Sequence, residues 1–277
     1  MLAARLRARA RLLLGAARLP EVYGISYPKS GRTWLRAMMG RVLCRRSGLP
    51  ESDLLDTRLL TAAARLPVMS WHHGGGSLRN PCPGSGELSF DHRRFAGKAV
   101  IFLMRDPRDT LVSAYFQASK RIRSFEGPID AFVRSDQRGI MKWIAHHNAW
   151  YEHRALLKSF HLVRYEALHS DPVGTLRSVM EAIGLADLQD EELEEAVDFA
   201  RFDNLKQFES AARSRAQALR PRDGIDPDSY KVRKGRVGGF GEYLTESDVG
   251  FIQEALRQFA CPLYFQHYLQ PPAEASA

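Results

Sequence analysis

Cysteine is scarce in this chain. Cys44, Cys82 and Cys261 are widely spaced and odd in number, which excludes a disulfide framework and any zinc-finger spacing and suits a reducing compartment. Long hydrophobic runs are missing too, so no transmembrane helix is expected. No Gly-x-x-x-x-Gly-Lys-Ser/Thr occurs, and no clear strand ends in an acidic magnesium ligand, so the usual nucleoside-triphosphate loop is not written here. No His/Cys/Asp/Glu cluster offers a metal site: in the helical stretch holding His146, His147 and His153, only the first and last share a face. Internal repeats are absent, and low complexity is confined to the Pro/Ala-rich last few residues.

Acidic charge is missing from one place in particular. Residues 1–20 hold five Arg and neither Lys nor acid, and so supply most of the net charge of +8. They read as a basic amphipathic leader helix, with weak contact to a membrane surface as the second reading. A targeting peptide is disfavoured, because Leu12-Leu13-Leu14 makes a poor apolar region and no small-residue cleavage site follows. No basic-aromatic module supports nucleic-acid binding. A cytoplasmic location is expected.

What is present is a short, informative loop. Tyr27-Pro-Lys-Ser-Gly-Arg-Thr-Trp34 follows the strand-like run Val22–Ser26. It opens a segment in which Trp34, Leu35, Met38, Met39, Val42 and Leu43 recur at helical spacing. A strand, a tight glycine-bearing loop and a helix start make an anion cradle. The first helical N–H groups lack intrahelical partners, the helix dipole favours negative charge there, and Lys29 adds a cation. Farther on, Lys98–Met104 is a near-continuous apolar run, the pattern of a strand buried on both faces of a parallel sheet. It ends at Arg105, and helical spacing resumes through Leu111, Val112, Tyr115 and Phe116.

These segments resemble the sulfotransferases that use 3′-phosphoadenosine 5′-phosphosulfate (PAPS). The octapeptide is similar to their 5′-phosphosulfate loop, Tyr-Pro-Lys-Ser-Gly-Thr-Thr-Trp, and departs from it only at Arg32. Arg105 and Ser113 resemble the family pair that grips the 3′-phosphate, and Arg233-Lys234-Gly235 resembles the late basic tripeptide that reaches the same group. The resemblance implies PAPS as co-substrate, 3′,5′-adenosine bisphosphate (PAP) as product, and no metal. It gives Lys29 to the leaving phosphate and Ser30, Gly31 and Thr33 to the 5′-phosphate. Trp34, Tyr165 and Phe202 are assigned to the adenine.

Sulfuryl transfer to a hydroxyl needs a general base, and histidine suits that task near neutral pH. Leu66–His73 reads as a strand ending in two histidines, and it resembles the family strand ending Lys-Thr-His. Register places His72 on the catalytic histidine, with His73 as the second candidate. The family lysine is replaced by Ser70, and the paired change at Arg32 predicts that this guanidinium carries the missing positive charge. The family's C-terminal dimer motif is not matched: Gly241, Thr245, Glu246 and Gly250 stand in its places.

Strands expected at 22–26, 67–72, 98–104 and 160–165 alternate with helices at 33–46, 108–119, 141–158, 173–184, 190–200 and 246–259. That order implies one α/β domain over 21–270, with a central parallel sheet flanked by helices and a P-loop-like phosphosulfate loop. The expected activity is in-line sulfuryl transfer from PAPS to the hydroxyl of a small molecule, lipid or sugar. The alternatives are a P-loop-type nucleotide kinase and a non-catalytic adenosine-bisphosphate-binding relative.

Overall fold

The computed structural model describes residues 14–79, 88, 90–201, 204, 235–261 and 268. Four parallel strands form the sheet: β1 (Val22–Ser26), β2 (Met69–His72), β3 (Ala99–Met104) and β4 (Ser159–Arg164). Their order is β2-β1-β3-β4. The chain leaves β1 for β2 on one side and then crosses over β1 to reach β3 on the other. The strand order therefore reverses between β1 and β3, where the loops beyond the strand ends diverge and leave a crevice. Residues 27–31 emerge from β1 at this point and Arg105 from β3.

Register divides the strand side chains between two cores. Val22 lies opposite Met69 and Ala99, whereas Ile25 lies opposite His72 and Phe102. One face packs on α1 (Arg32–Ser47), α7 (Pro172–Ala182) and α8 (Asp190–Phe199) through residues such as Met38, Val179 and Leu193. The other packs on α3 (Pro107–Phe116), α5 (Ile140–Glu152) and α9 (Glu246–Phe259) through Leu111, Trp143 and Ile252. Shorter helices α2 (Thr57–Ala63), α4 (Ile129–Arg134) and α6 (Tyr165–Ser170) fill the connections. With both faces covered, the strands can be apolar throughout, which is why β3 reads as a continuous run.

Local chemistry sets the helix starts. Asp106 caps α3, its carboxylate accepting from the Arg108 N–H at 2.8 Å, and Pro107 occupies the first helical turn. The sequence predicts one helix over 108–119. Instead α3 stops at Phe116 and a wider π-type turn runs over Gln117–Arg121. The helix expected to reach residue 158 closes at Glu152 and tightens into a 3₁₀ turn, His153–Leu156. Among the described residues, no helix is long and apolar enough to cross a membrane.

Candidate functional site

The loop after β1 is built from two left-handed residues. Lys29 has φ 72° and Gly31 φ 92°. Glycine is required at 31 on two grounds, since a Cβ there would meet the Tyr165 ring at 2.3 Å. A lysine in the left-handed region is uncommon and costs about 1–3 kcal/mol, the kind of strain that collects at ligand sites. Gly31 is the N-cap of α1. No side chain caps that end, and no acid lies in the first turn. Ser30 is fully buried, and its Oγ has no hydrogen-bond partner among the described residues. A buried hydroxyl without a partner, beside an uncapped helix start, is an anion-binding arrangement.

Arg105 sits across the crevice and joins three segments. Its Nη1 donates to the Lys29 carbonyl at 3.3 Å and its Nη2 to the Arg236 carbonyl at 2.7 Å. Its guanidinium lies 4.2 Å from the Tyr165 ring centroid and 3.4 Å from the Asp109 carboxylate. Asp109 in turn accepts from the N–H groups of Gly238 (2.8 Å) and Phe240 (3.0 Å). Burial pushes the Asp109 carboxyl upward, and the Arg105 charge opposes that shift. Ser113 lies half-buried two turns along α3. Gly235, in the left-handed region at φ 62°, immediately precedes Arg236 and so reaches the same place. Arg233, Lys234 and Phe202 lie outside the described residues.

Beside the loop, Trp34 and Tyr165 meet edge to face at 5.7 Å. His169 completes the cluster, 4.6 Å from Trp34 and 4.8 Å from Tyr165. Burial first, then the Arg105 charge, lowers the pKa of His169. Sequence reasoning missed this residue, although its place one helical turn after Tyr165 on α6 was a usable signal.

The two histidines at the end of β2 point to opposite sides. His72 lies opposite Ile25, with its ring 5.6 Å from Tyr23 and 6.2 Å from Phe95. Burial lowers its pKa, and the charges of Arg94, Arg32 and Arg58 add to the effect. His73 turns toward the loop. Its Nε2 lies 3.0 Å from Arg32 Nη2, and its Nδ1 lies 3.1 Å from the Ser26 carbonyl. A guanidinium can only donate and a carbonyl can only accept, so these two partners assign the His73 proton to Nδ1 and leave Nε2 to accept from Arg32. Arg32 is largely desolvated, which together with the Arg36 charge lowers its pKa to about 10. Among the described residues, no group of three or more His, Cys, Asp or Glu could hold a metal ion.

The sulfotransferase domain family model matches residues 96–261, a span that contains Arg105, Ser113 and Tyr165 and begins after the Lys29 loop. Cytosolic sulfotransferase 17 of Arabidopsis thaliana is 25% identical over 266 residues, covering 87% of this chain and 75% of its own length. Sulfotransferase 2A1 of Rattus norvegicus is 27% identical over 234 residues, covering 80% and 78%. In fold, the chain is similar to mouse sulfotransferase SULT7A1 complexed with PAP, with a TM-score of 0.60 and 21% identity over 93% of this chain and 91% of that one. The Lys29 loop and Arg105 meet at the switch point of a sheet with this same fold, and the chain belongs to the PAPS-dependent sulfotransferase family.

Proposed function

We propose that the chain transfers the sulfuryl group of PAPS to a hydroxyl by in-line displacement at the β1/β3 crevice. One observation carries the reading: a strained Lys29-Ser30-Gly31 loop, with the Ser30 hydroxyl buried and without a partner among the described residues, opens directly onto an uncapped helix N-terminus. The 5′-phosphosulfate fits that cradle, held by Ser30, Thr33 and the first N–H groups of α1. Arg105 and Ser113 face the 3′-phosphate, with Arg233, Lys234 and Gly235 as the further contacts implied by the family. Trp34, Tyr165 and Phe202 take the adenine.

In the transfer step the acceptor oxygen attacks sulfur and forms the new O–S bond. The bond from sulfur to the bridging oxygen breaks, and PAP leaves with that electron pair. Lys29 stabilises the charge growing on the bridging oxygen, a preorganised electrostatic role. The acceptor's proton passes to a histidine at the end of β2. Family register points to His72; the geometry favours His73, whose unprotonated Nε2 faces the loop. A sulfuryl group on the loop gives Arg32 an anionic partner in place of His73 Nε2, which supports Arg32 as the substitute for the family lysine replaced by Ser70. The acceptor is a small-molecule, lipid or sugar hydroxyl.

Calorimetric binding of PAP in metal-free buffer tests the reading, with Lys29→Ala and Arg105→Ala beside the unaltered protein and ATP, without and with added magnesium, as control. Binding of PAP that both substitutions weaken, with little response to ATP, is expected. Preference for ATP with magnesium would overturn it in favour of a kinase.

A further inference from the structure

The backbone after β2 is held from outside the sheet. Arg138 Nη1 donates to the Leu78 carbonyl at 3.0 Å, Lys142 Nζ to Ser77 at 2.6 Å, His146 Nε2 to His73 at 2.9 Å and Trp150 Nε1 to Gly74 at 3.0 Å. These four residues recur every fourth position along α5 and the turn before it, so they share one stripe of the helix. Lys142, His146 and Trp150 are buried to 1%, 0% and 0% exposure. Burying a lysine and an imidazole is costly unless their donors are used, and here they are used on main-chain carbonyls of a single loop.

The loop is shaped to receive them. Gly74 and Gly75 are left-handed at φ 51° and 89°, and a Cβ on Gly74 would lie 2.6 Å from the Trp150 indole nitrogen. On Gly76 a Cβ would meet Tyr27 at 2.9 Å and His146 at 3.0 Å. The His73 carbonyl accepts twice, from His146 and from the Gly76 N–H at 2.9 Å. The main chain of His73 is thus fixed from the α5 side, and its ring is fixed from the other side by Ser26 and Arg32.

We propose that α5 is a positioning element for the reaction: Lys142, His146 and Trp150 clamp residues 73–78 and thereby hold the His73 ring with Nδ1 on Ser26 and Nε2 toward the loop. The functional importance of this clamp rests on the reading of His73 as the base, but its physical effect can be read without turnover. The experiment is a nitrogen-edited NMR spectrum of the histidine rings of the full chain, with His73 assigned by His73→Asn. It is recorded for the unaltered protein, Lys142→Met and Trp150→Phe, with PAP affinity measured on each.

A single Nδ1–H tautomer is expected in the unaltered protein. In both variants the Nδ1–H to Nε2–H ratio should fall by up to about tenfold, the equivalent of losing one ordinary hydrogen bond. PAP affinity should stay close to unaltered, since the bonds removed end on Ser77 and Gly74, outside the Lys29 loop. If Lys142→Met does not fold, Trp150→Phe carries the test, because it removes the N–H that Gly74 accepts and keeps an aromatic ring in its place. An unchanged His73 tautomer in a folded variant, or loss of PAP binding parallel to loss of the tautomer, overturns the proposal. Failure of the base assignment reads out separately: His73→Asn would then keep full turnover while the clamp variants still loosen the ring.

Discussion

Replacing Arg105 with Ala separates a residue that reads the 3′-phosphate from one that only braces the loop. A cation about 4 Å from a phosphate charge gains on the order of 4 kcal/mol at the effective dielectric of a protein surface. Arg105 cannot deliver all of that. Asp109 stands 3.4 Å away and neutralises part of the charge, and two of the guanidinium's donors already serve Lys29 and Arg236. Its buried Nε is still without a partner among the described residues. The expected loss is that of a charged hydrogen bond, about 1.5–3 kcal/mol, or roughly tenfold to 150-fold in Kd. The assay is calorimetry with two ligands, PAP and AMP, which differ by the 3′-phosphate alone. Arg105→Ala should weaken PAP by that factor and leave AMP nearly unchanged. An equal loss for both ligands would refute the phosphate contact and leave Arg105 as a brace for the loop.

Gly31→Ala should cost about 2–4 kcal/mol in denaturant unfolding, because a left-handed alanine is strained and its methyl group drives Tyr165 out of place. His73→Asn should lower turnover by about 10²–10⁴-fold, the usual weight of a general base, and His72→Asn by much less, once a screen has supplied an acceptor. Thermal stability should fall as pH drops from 6.5 toward 4, since burial lowers the pKa of His92 from 6.5 to about 4. The unfolded chain takes up that proton first, so acid favours unfolding, and His92→Gln should flatten part of the slope. Asp109→Asn should loosen the docking of residues 238–240, seen as faster amide exchange at Gly238 and Phe240.

The parts legible in the sequence were those set by near neighbours. Lys29, Ser30 and Gly31 could be placed because a strand, a glycine and a helix start are local signals. Arg105 stood out because β3 is apolar up to the residue before it. The partners of Arg105 were not legible: Arg236 lies 131 positions away, and nothing in either segment announces the other. The choice between His72 and His73 turns on which way a strand end faces, and shifting the register by one residue exchanges the two sides. The spacing of Arg138, Lys142, His146 and Trp150 was visible, yet its meaning depends on carbonyls 60 to 76 residues upstream. In sequence His146 resembles a candidate metal ligand, whereas its partner across the fold is the main chain of His73.

The closure of the crevice by Arg105 and Arg236 bears on the order in which the protein is made. Synthesis runs from the N-terminus at about 5–20 residues per second, and domains acquire structure as they emerge. Of these parts the Lys29 loop is made first and Arg105 next, and the segment that receives both Arg105 and Asp109 is made after them, with Arg236 131 positions beyond Arg105. A nascent chain can thus hold its sheet while its nucleotide site is still open on one side. Cellular PAP or PAPS, by rewarding only the finished arrangement, would act as a late selector for completely folded molecules.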